Sequence, residues 1–251
     1  MIGFAAKLRA LRALRAATSG AAVVEFALAF PVFLTLGGYG AELSNFSYAN
    51  LEISQFALAL ADNASRIGVN NGQQVFQLRE GDLNDVLQGA RVMSGGFDLT
   101  TNGRVTLTSL EKVQQDFSDG TDDTAPVLRI HWQRCIGKRG GTADAGYESS
   151  YGTATPLTTA GTDTTYANRG PTVTGFGTSP VVTAPSGAGV MYVEINYEYQ
   201  GLFGSMFMSK RRIHSVAALI VRDRRDFAQI YNPATALGTK PARSTCDLHN
   251  A

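Results

Sequence analysis

Charge is scarce in this chain. Asp, Glu, Lys and Arg make up 17% of its 251 residues and cancel to a net +1. The bulk electrostatic attraction that draws proteins to nucleic acid is therefore missing. Metal-ligating residues are few as well. Cys135 and Cys246 are the two cysteines and have no ligand spacing, and His131, His214 and His249 are separated by long intervals; no zinc site is expected. The acidic run Asp119-Gly120-Thr121-Asp122-Asp123 lacks the spacing and terminal Glu of a calcium loop and reads as an acidic turn. There is no Walker A loop, no GxSxG and no HExxH. These absences leave no catalytic set, no metal and no cofactor, so the expectation is a protein that is not an enzyme.

Glycine is plentiful at 27 residues, which suits loop- and strand-rich structure. The charges are also unevenly placed. Lys7, Arg9, Arg12 and Arg15 stand in front of an apolar run, AAVVEFALAFPVFLTLGGYGA from Ala21 to Ala41, whose one charged residue is Glu25. The run has about the twenty residues that cross a hydrocarbon core. It is apolar round nearly its whole circumference, and Pro31 is tolerated inside a membrane helix. Positive residues before the run place the N-terminus in the cytoplasm and the C-terminal body outside. A cleaved secretory signal fits less well, because the run is long for one and carries a carboxylate near its start.

Behind the run, Phe46, Ala49, Leu51, Ile53, Phe56, Ala57, Leu60 and Ala64 recur at roughly helical spacing as far as Arg66, and Gly68 supplies a stop. One helix over 21–66 follows, its first half in lipid and its second half amphipathic. Glu25 is costly in lipid, by about 2.5–3.5 kcal/mol at a helix centre, which marks it as a functional residue unless it snorkels or stays protonated.

The residues Ser19-Gly20-Ala21-Ala22-Val23-Val24-Glu25-Phe26 carry more than the sum of these features. A basic leader ends in glycine, an apolar helix begins, and an acid is the fifth residue after that glycine. This resembles the class III signal of type IV pilin-like proteins. The continuation AAVVEFALAFPVFL resembles the TadE/TadG-like family of tight-adherence pilus assembly proteins over about Ser19 to Leu34. The resemblance implies a minor pseudopilin whose leader, 1–20, is cut between Gly20 and Ala21 by a prepilin peptidase. It implies the bacterial inner membrane, a periplasmic C-terminal domain and incorporation with other pilin subunits. Ala21 then becomes the new N-terminus, and Glu25, one helical turn below, salt-bridges the free amino group of a neighbour. Small residues at Ala21, Ala22, Ala27, Ala29, Gly37, Gly38, Gly40 and Ala41 suit helix packing, or are ordinary membrane-helix composition. The alternative is a signal-anchored periplasmic or surface adhesin that uses the helix as an anchor alone.

The exported body, 67–251, reads as α+β. A short helical or mixed region covers 75–92, with Asp82 as its N-cap. Strands are expected over Arg104–Leu110, Val127–Cys135, Val190–Tyr199 and Ile213–Val221, in one small antiparallel sheet with a hairpin-like break at Gly201–Ser209. A long helix on such a sheet is also what the pilin resemblance implies. The stretch 137–189 is Gly/Thr-rich and reads as an inserted loop that buries little, with short edge strands near Tyr147–Tyr151 and Val181–Thr183. Lys210-Arg211-Arg212 and Arg222 with Arg224-Arg225 read as solvated strand ends. After Tyr231 the tail is extended. The two cysteines either close a loop of roughly a hundred residues, which export would favour, or remain thiols.

Overall fold

The computed structural model describes residues 19–70, 72, 75–115, 122–154, 172–178, 180–227 and 230–249. The leader up to residue 18, Asp119 to Thr121 of the acidic turn and the middle of the Gly/Thr-rich stretch lie outside them. The architecture is α+β, with a long N-terminal helix and antiparallel sheets. In chain order its helices and strands are α1 (Ser19–Arg66), β1 (Val69–Asn70), β2 (Phe76–Gln77), α2 (Glu80–Met93), α3 (Leu99–Asn102), β3 (Gly103–Gln115), β4 (Asp122–Ile136), β5 (Ala188–Glu198) and β6 (Arg212–Ile220). The chain divides into two compact units. One is residues 1–46 with 201–209, and the other is 47–200 with 210–251.

In the larger unit β3 to β6 form a four-stranded sheet in the order β4-β3-β5-β6. All its neighbours are antiparallel. Residues 47–66 of α1 bury a stripe made of Ala49, Ile53, Phe56, Ala57, Leu60, Ala61 and Ala64, the three-and-four spacing of a helix with one face on a core. Leu51 departs from the expected stripe and is exposed, since it falls between the buried rows. Beside the stripe, α1 meets the sheet at Ser54, whose hydroxyl accepts a 3.2 Å hydrogen bond from Ser215 on β6. The Phe97 ring bridges them too, with its centroid 6.2 Å from Phe56 and 6.1 Å from Tyr197 on β5.

The far end of α1 is closed by an arginine. Arg225 is buried and donates to the carbonyls of Ala64 (3.2 Å), Ser65 (3.3 Å) and Ile67 (2.7 Å), acceptors that the helix cannot satisfy itself. A cation there also complements the helix dipole. Burial lowers the pKa of this guanidinium, with the charges of Glu111 and Asp223 working against the shift. Arg225 is therefore no solvated strand end.

The 75–92 region contains a helix, but Asp82 does not cap it. Arg79 holds the N-cap position without a side-chain hydrogen bond, and Asp82 sits inside the first turn. The Glu80 N–H is satisfied by the Tyr231 carbonyl at 2.9 Å instead. Tertiary contact has replaced the local cap. Glu80 is fully buried and takes the Arg134 guanidinium through both oxygens, with Arg243 3.7 Å away.

The described parts of the Gly/Thr-rich stretch carry buried side chains. Phe176 and Ala184 join Leu110, Leu128, Ile130, Val190 and Tyr192 in a second core cluster. Tyr151 stacks on Phe176 at 5.0 Å, and Phe176 meets Tyr192 edge-on at 4.8 Å. Two aromatics anchor a segment otherwise poor in large side chains. No strand forms over Tyr147–Tyr151; a 3-10 helix, Thr142–Tyr147, ends there and irregular backbone follows. Around 181–183 there is a single bridge, between Phe176 and Val182.

The tail is held at several points. Cys135 and Cys246 are bonded. The Cys135 N–H donates to the Ser244 carbonyl at 2.7 Å, and Asn84 Nδ2 donates to the Ala242 carbonyl at 2.7 Å. Turns at 236–237 and 246–247 replace the expected extended run.

Candidate functional site

In the smaller unit, residues 19–46 of α1 supply the apolar span. Every residue from Ala21 to Gly37 is exposed, and α1 is long and apolar enough to cross a membrane. Large apolar side chains point outward all round, among them Phe26, Leu28, Phe33 and Leu36, each at least 65% exposed. In water this surface would be unfavourable by about 25 cal/mol for each Å². Pro31 offers no N–H to the carbonyl of the preceding turn, yet the helix runs on through it. Thr35 donates its hydroxyl to the Pro31 carbonyl at 2.7 Å, and Phe26 stacks on Phe30 at 5.1 Å, four residues on.

The residues named by the signal-like sequence sit at the start of this span. Gly20 and Ala21 lie in the first turns of α1, both exposed, and nothing would meet a Cβ at Gly20 within 4 Å. Glu25 is exposed as well, four residues after Ala21 and so on the same face, about 6 Å further along the axis. The structure thus puts Ala21 and Glu25 in one short stripe. Lys7, Arg9, Arg12 and Arg15 are outside the described residues.

A second carboxylate ends the span. Glu42 is fully buried, and its Oε2 accepts a 3.3 Å hydrogen bond from the backbone N–H of Phe203. A Cβ on Gly201 would come within 2.7 Å of Glu42 Oε1 and 2.5 Å of the Gly204 carbonyl oxygen, so that position is held to glycine by close approach. The loop 201–209 therefore folds back onto the helix. Its Phe207 ring covers Gly38, where a Cβ would sit 2.5 Å from Cζ. The hairpin-like break expected at Gly201–Ser209 is this turn, and Glu42, Phe203 and Phe207 belong to no motif that singles them out in the sequence. The available signal was a neutral run, Leu202-Phe203-Gly204-Ser205-Met206-Phe207-Met208, too apolar for an ordinary surface turn.

The larger unit has polar clusters that resemble catalytic sets in composition but not in geometry. Ser109 donates its hydroxyl to Glu111 at 2.6 Å, and His131 Nδ1 lies 2.8 Å from the same carboxylate. The serine is bonded to the acid and not to the imidazole, so the nucleophile–base contact is missing. All three are buried. His131 is the extra residue of a bulge in β4 opposite Ser109 and Leu110, which turns its ring toward Glu111.

The other two histidines also meet carboxylates. Glu194 takes His214 Nε2 at 3.0 Å, the Ser150 hydroxyl at 3.0 Å and the Ser150 N–H at 3.3 Å. Glu148 takes His249 Nε2 and the Gly141 N–H at 2.9 and 2.6 Å, and pairs with the buried Arg104 at 3.0 Å. Burial works to raise the Glu194 carboxyl, but hydrogen bonds from His214, Ser149 and Ser150 outweigh it and hold the pKa below the usual value. In Glu148 burial is likewise outweighed, by His249, the Gly141 N–H and the Arg104 charge. Arg104 also donates to the carbonyls of Gly137 and Leu248 at 3.2 Å each, and to that of Cys246. Arg139 bridges Glu198 and Asp144 and lies 4.7 Å above the Tyr147 ring. These clusters fasten residues 139–150 and the tail to the sheet.

Among the described residues no group of three or more His, Cys, Asp and Glu is placed to hold a metal ion. No protein-family model matches the chain, and no curated protein or solved structure matches it either.

Proposed function

We propose that this chain is a pilin-like assembly subunit of the tight-adherence type. It is a non-enzymatic minor pseudopilin held in the bacterial inner membrane by α1 and cut after Gly20 by a prepilin peptidase. The observation that carries the reading is the span Ala21–Gly37, apolar, helical and exposed on every side, with Glu25 as its one charge. A surface of that kind is at home in lipid or against other helices.

The chemistry of assembly follows from the Ala21–Glu25 stripe. Cleavage would leave a cationic amino group on Ala21, one turn from its own carboxylate. When another subunit's helix lies alongside, a carboxylate in lipid that pairs with a neighbour's amino group recovers much of its desolvation cost, which fixes the axial register between helices. An anchor that merely holds a binding domain at the membrane would have no need of the acid. Gly20 lies within the helix, so a protease that reads an extended strand must first unwind that turn. The exposure of both flanking residues permits it.

The test is Glu25→Gln in cells that assemble the pilus. The expected outcome is an unchanged amount in the membrane fraction and loss from the sheared pilus fraction. Equal recovery of wild type and variant with pili would contradict the role of the acid.

A further inference from the structure

The loop 201–209 contains no charged residue. Leu202, Phe203 and Met206 are 59%, 47% and 77% exposed, a high apolar content for a turn facing water. It is nevertheless an ordered turn. The Gly204 N–H reaches the Gly201 carbonyl at 3.2 Å, the Met206 N–H reaches the Phe203 carbonyl at 3.3 Å, and Phe203 meets Phe207 edge-on at 5.3 Å. Glu42 fixes one end of the turn, and the Phe207 ring on Gly38 fixes the other.

Gly38 precedes Glu42 by four residues, so Phe207 contacts the helix about 6 Å further into the apolar span. Between helix and loop runs an apolar groove of about 820 Å³, bounded by Pro31, Leu34 and Ala41 on one side and Phe203 and Met206 on the other. A partner helix would approach most closely at a small residue, but at Gly38 that place is already taken by Phe207. The wall of the groove is instead continuous with side chains exposed all round the span.

We propose that the loop 201–209 is a second membrane-contacting element. Resting on the membrane reading of α1, it places Leu202, Phe203 and Met206 in the outer leaflet, with lipid acyl chains filling the groove against the helix. In sequence the apolar loop ends at once in Lys210, Arg211 and Arg212, and Lys210 pairs with Glu198 at 2.7 Å while Arg212 donates to the Gly146 carbonyl, so the uncharged stretch is sharply bounded. The loop and α1 then fix the depth of the subunit at two points, whereas a lone helix can slide and tilt.

Single-cysteine variants of the full chain test this directly, because Cys135 and Cys246 are bonded to each other and leave the introduced thiol to take the label. Met206→Cys, Phe33→Cys and Leu237→Cys are each labelled with an environment-sensitive fluorophore. They are then reconstituted into phosphatidylcholine–phosphatidylglycerol vesicles containing doxyl-labelled lipid. Phe33 reports the span, and Leu237, 91% exposed, reports water. The expected result is a blue shift and loss of fluorescence at Met206 close to those at Phe33, with neither at Leu237. Quenching at Phe33 but not at Met206 would overturn the proposal and leave the span in lipid. Quenching at neither would overturn the membrane reading, and the proposal with it. A blue shift at Met206 without quenching would mean that protein, a second copy for instance, covers the loop, and would overturn the proposal.

Discussion

Glu194 lies in a buried setting that would ordinarily push a carboxyl toward protonation, yet its donors hold it ionised. Its folded pKa is depressed below the ordinary value of 4.5, so its contribution to stability is complete above about pH 4.5 and is lost as the pH falls through the folded value. Glu148 has the same sign. Chemical denaturation at pH 7 and pH 3 should show a smaller acid loss for Glu194→Gln than for wild type. An identical loss would mean that other carboxylates set the acid limit. Arg225 has a different role. Removing it leaves three carbonyls at the end of α1 without their donor, a cost of about 1–3 kcal/mol. Arg225→Ala should lower the denaturation midpoint accordingly, with most of the loss retained in Arg225→Met, which restores packing but not the hydrogen bonds.

At the scale of elements, the disulfide joins β4 to the tail across 111 positions. In the chain-entropy account, closing a loop of that length stabilises by roughly 4–5 kcal/mol, and often by less. Reduction, or the pair Cys135→Ala with Cys246→Ala, should therefore lower stability and speed proteolysis within 232–249 before the sheet is attacked. Unchanged proteolysis of the tail would show that its hydrogen bonds to Asn84, Cys135, Arg104 and Glu148 hold it without the disulfide. Much of this architecture was legible. Alternation of Val193, Ile195 and Tyr197 marks β5, and the recurrence from Ala49 to Ala64 marks the buried face of α1, because both patterns follow directly from backbone periodicity. In the described parts of the Gly/Thr-rich segment the burial comes from two aromatics, Tyr151 and Phe176, which an average over fifty residues does not show. The Asp82 cap failed because the helix starts two residues earlier, at Glu80, whose N–H is taken by the Tyr231 carbonyl, distant in sequence. In the candidate site Glu25 was visible as a charge in an apolar run. Glu42 was not, because its partner is a backbone N–H in a loop 161 residues away.

For the whole molecule, the first half of α1 is apolar and long enough to cross a membrane, and the larger unit is fastened by buried ion pairs such as Arg134–Glu80. The full chain should accordingly aggregate without detergent or bilayer, whereas a chain starting at Ser47 should remain soluble and show cooperative unfolding. Failure of the shorter chain to fold would mean that the larger unit depends on residues 19–46. The central claim is processing after Gly20, and the most direct measurement is the intact mass of the protein from membranes of cells with and without a prepilin peptidase. The account predicts loss of residues 1–20 when the peptidase is present and the full chain when it is absent. A full-length chain in both, or a cut near Ala41 in both, would contradict it.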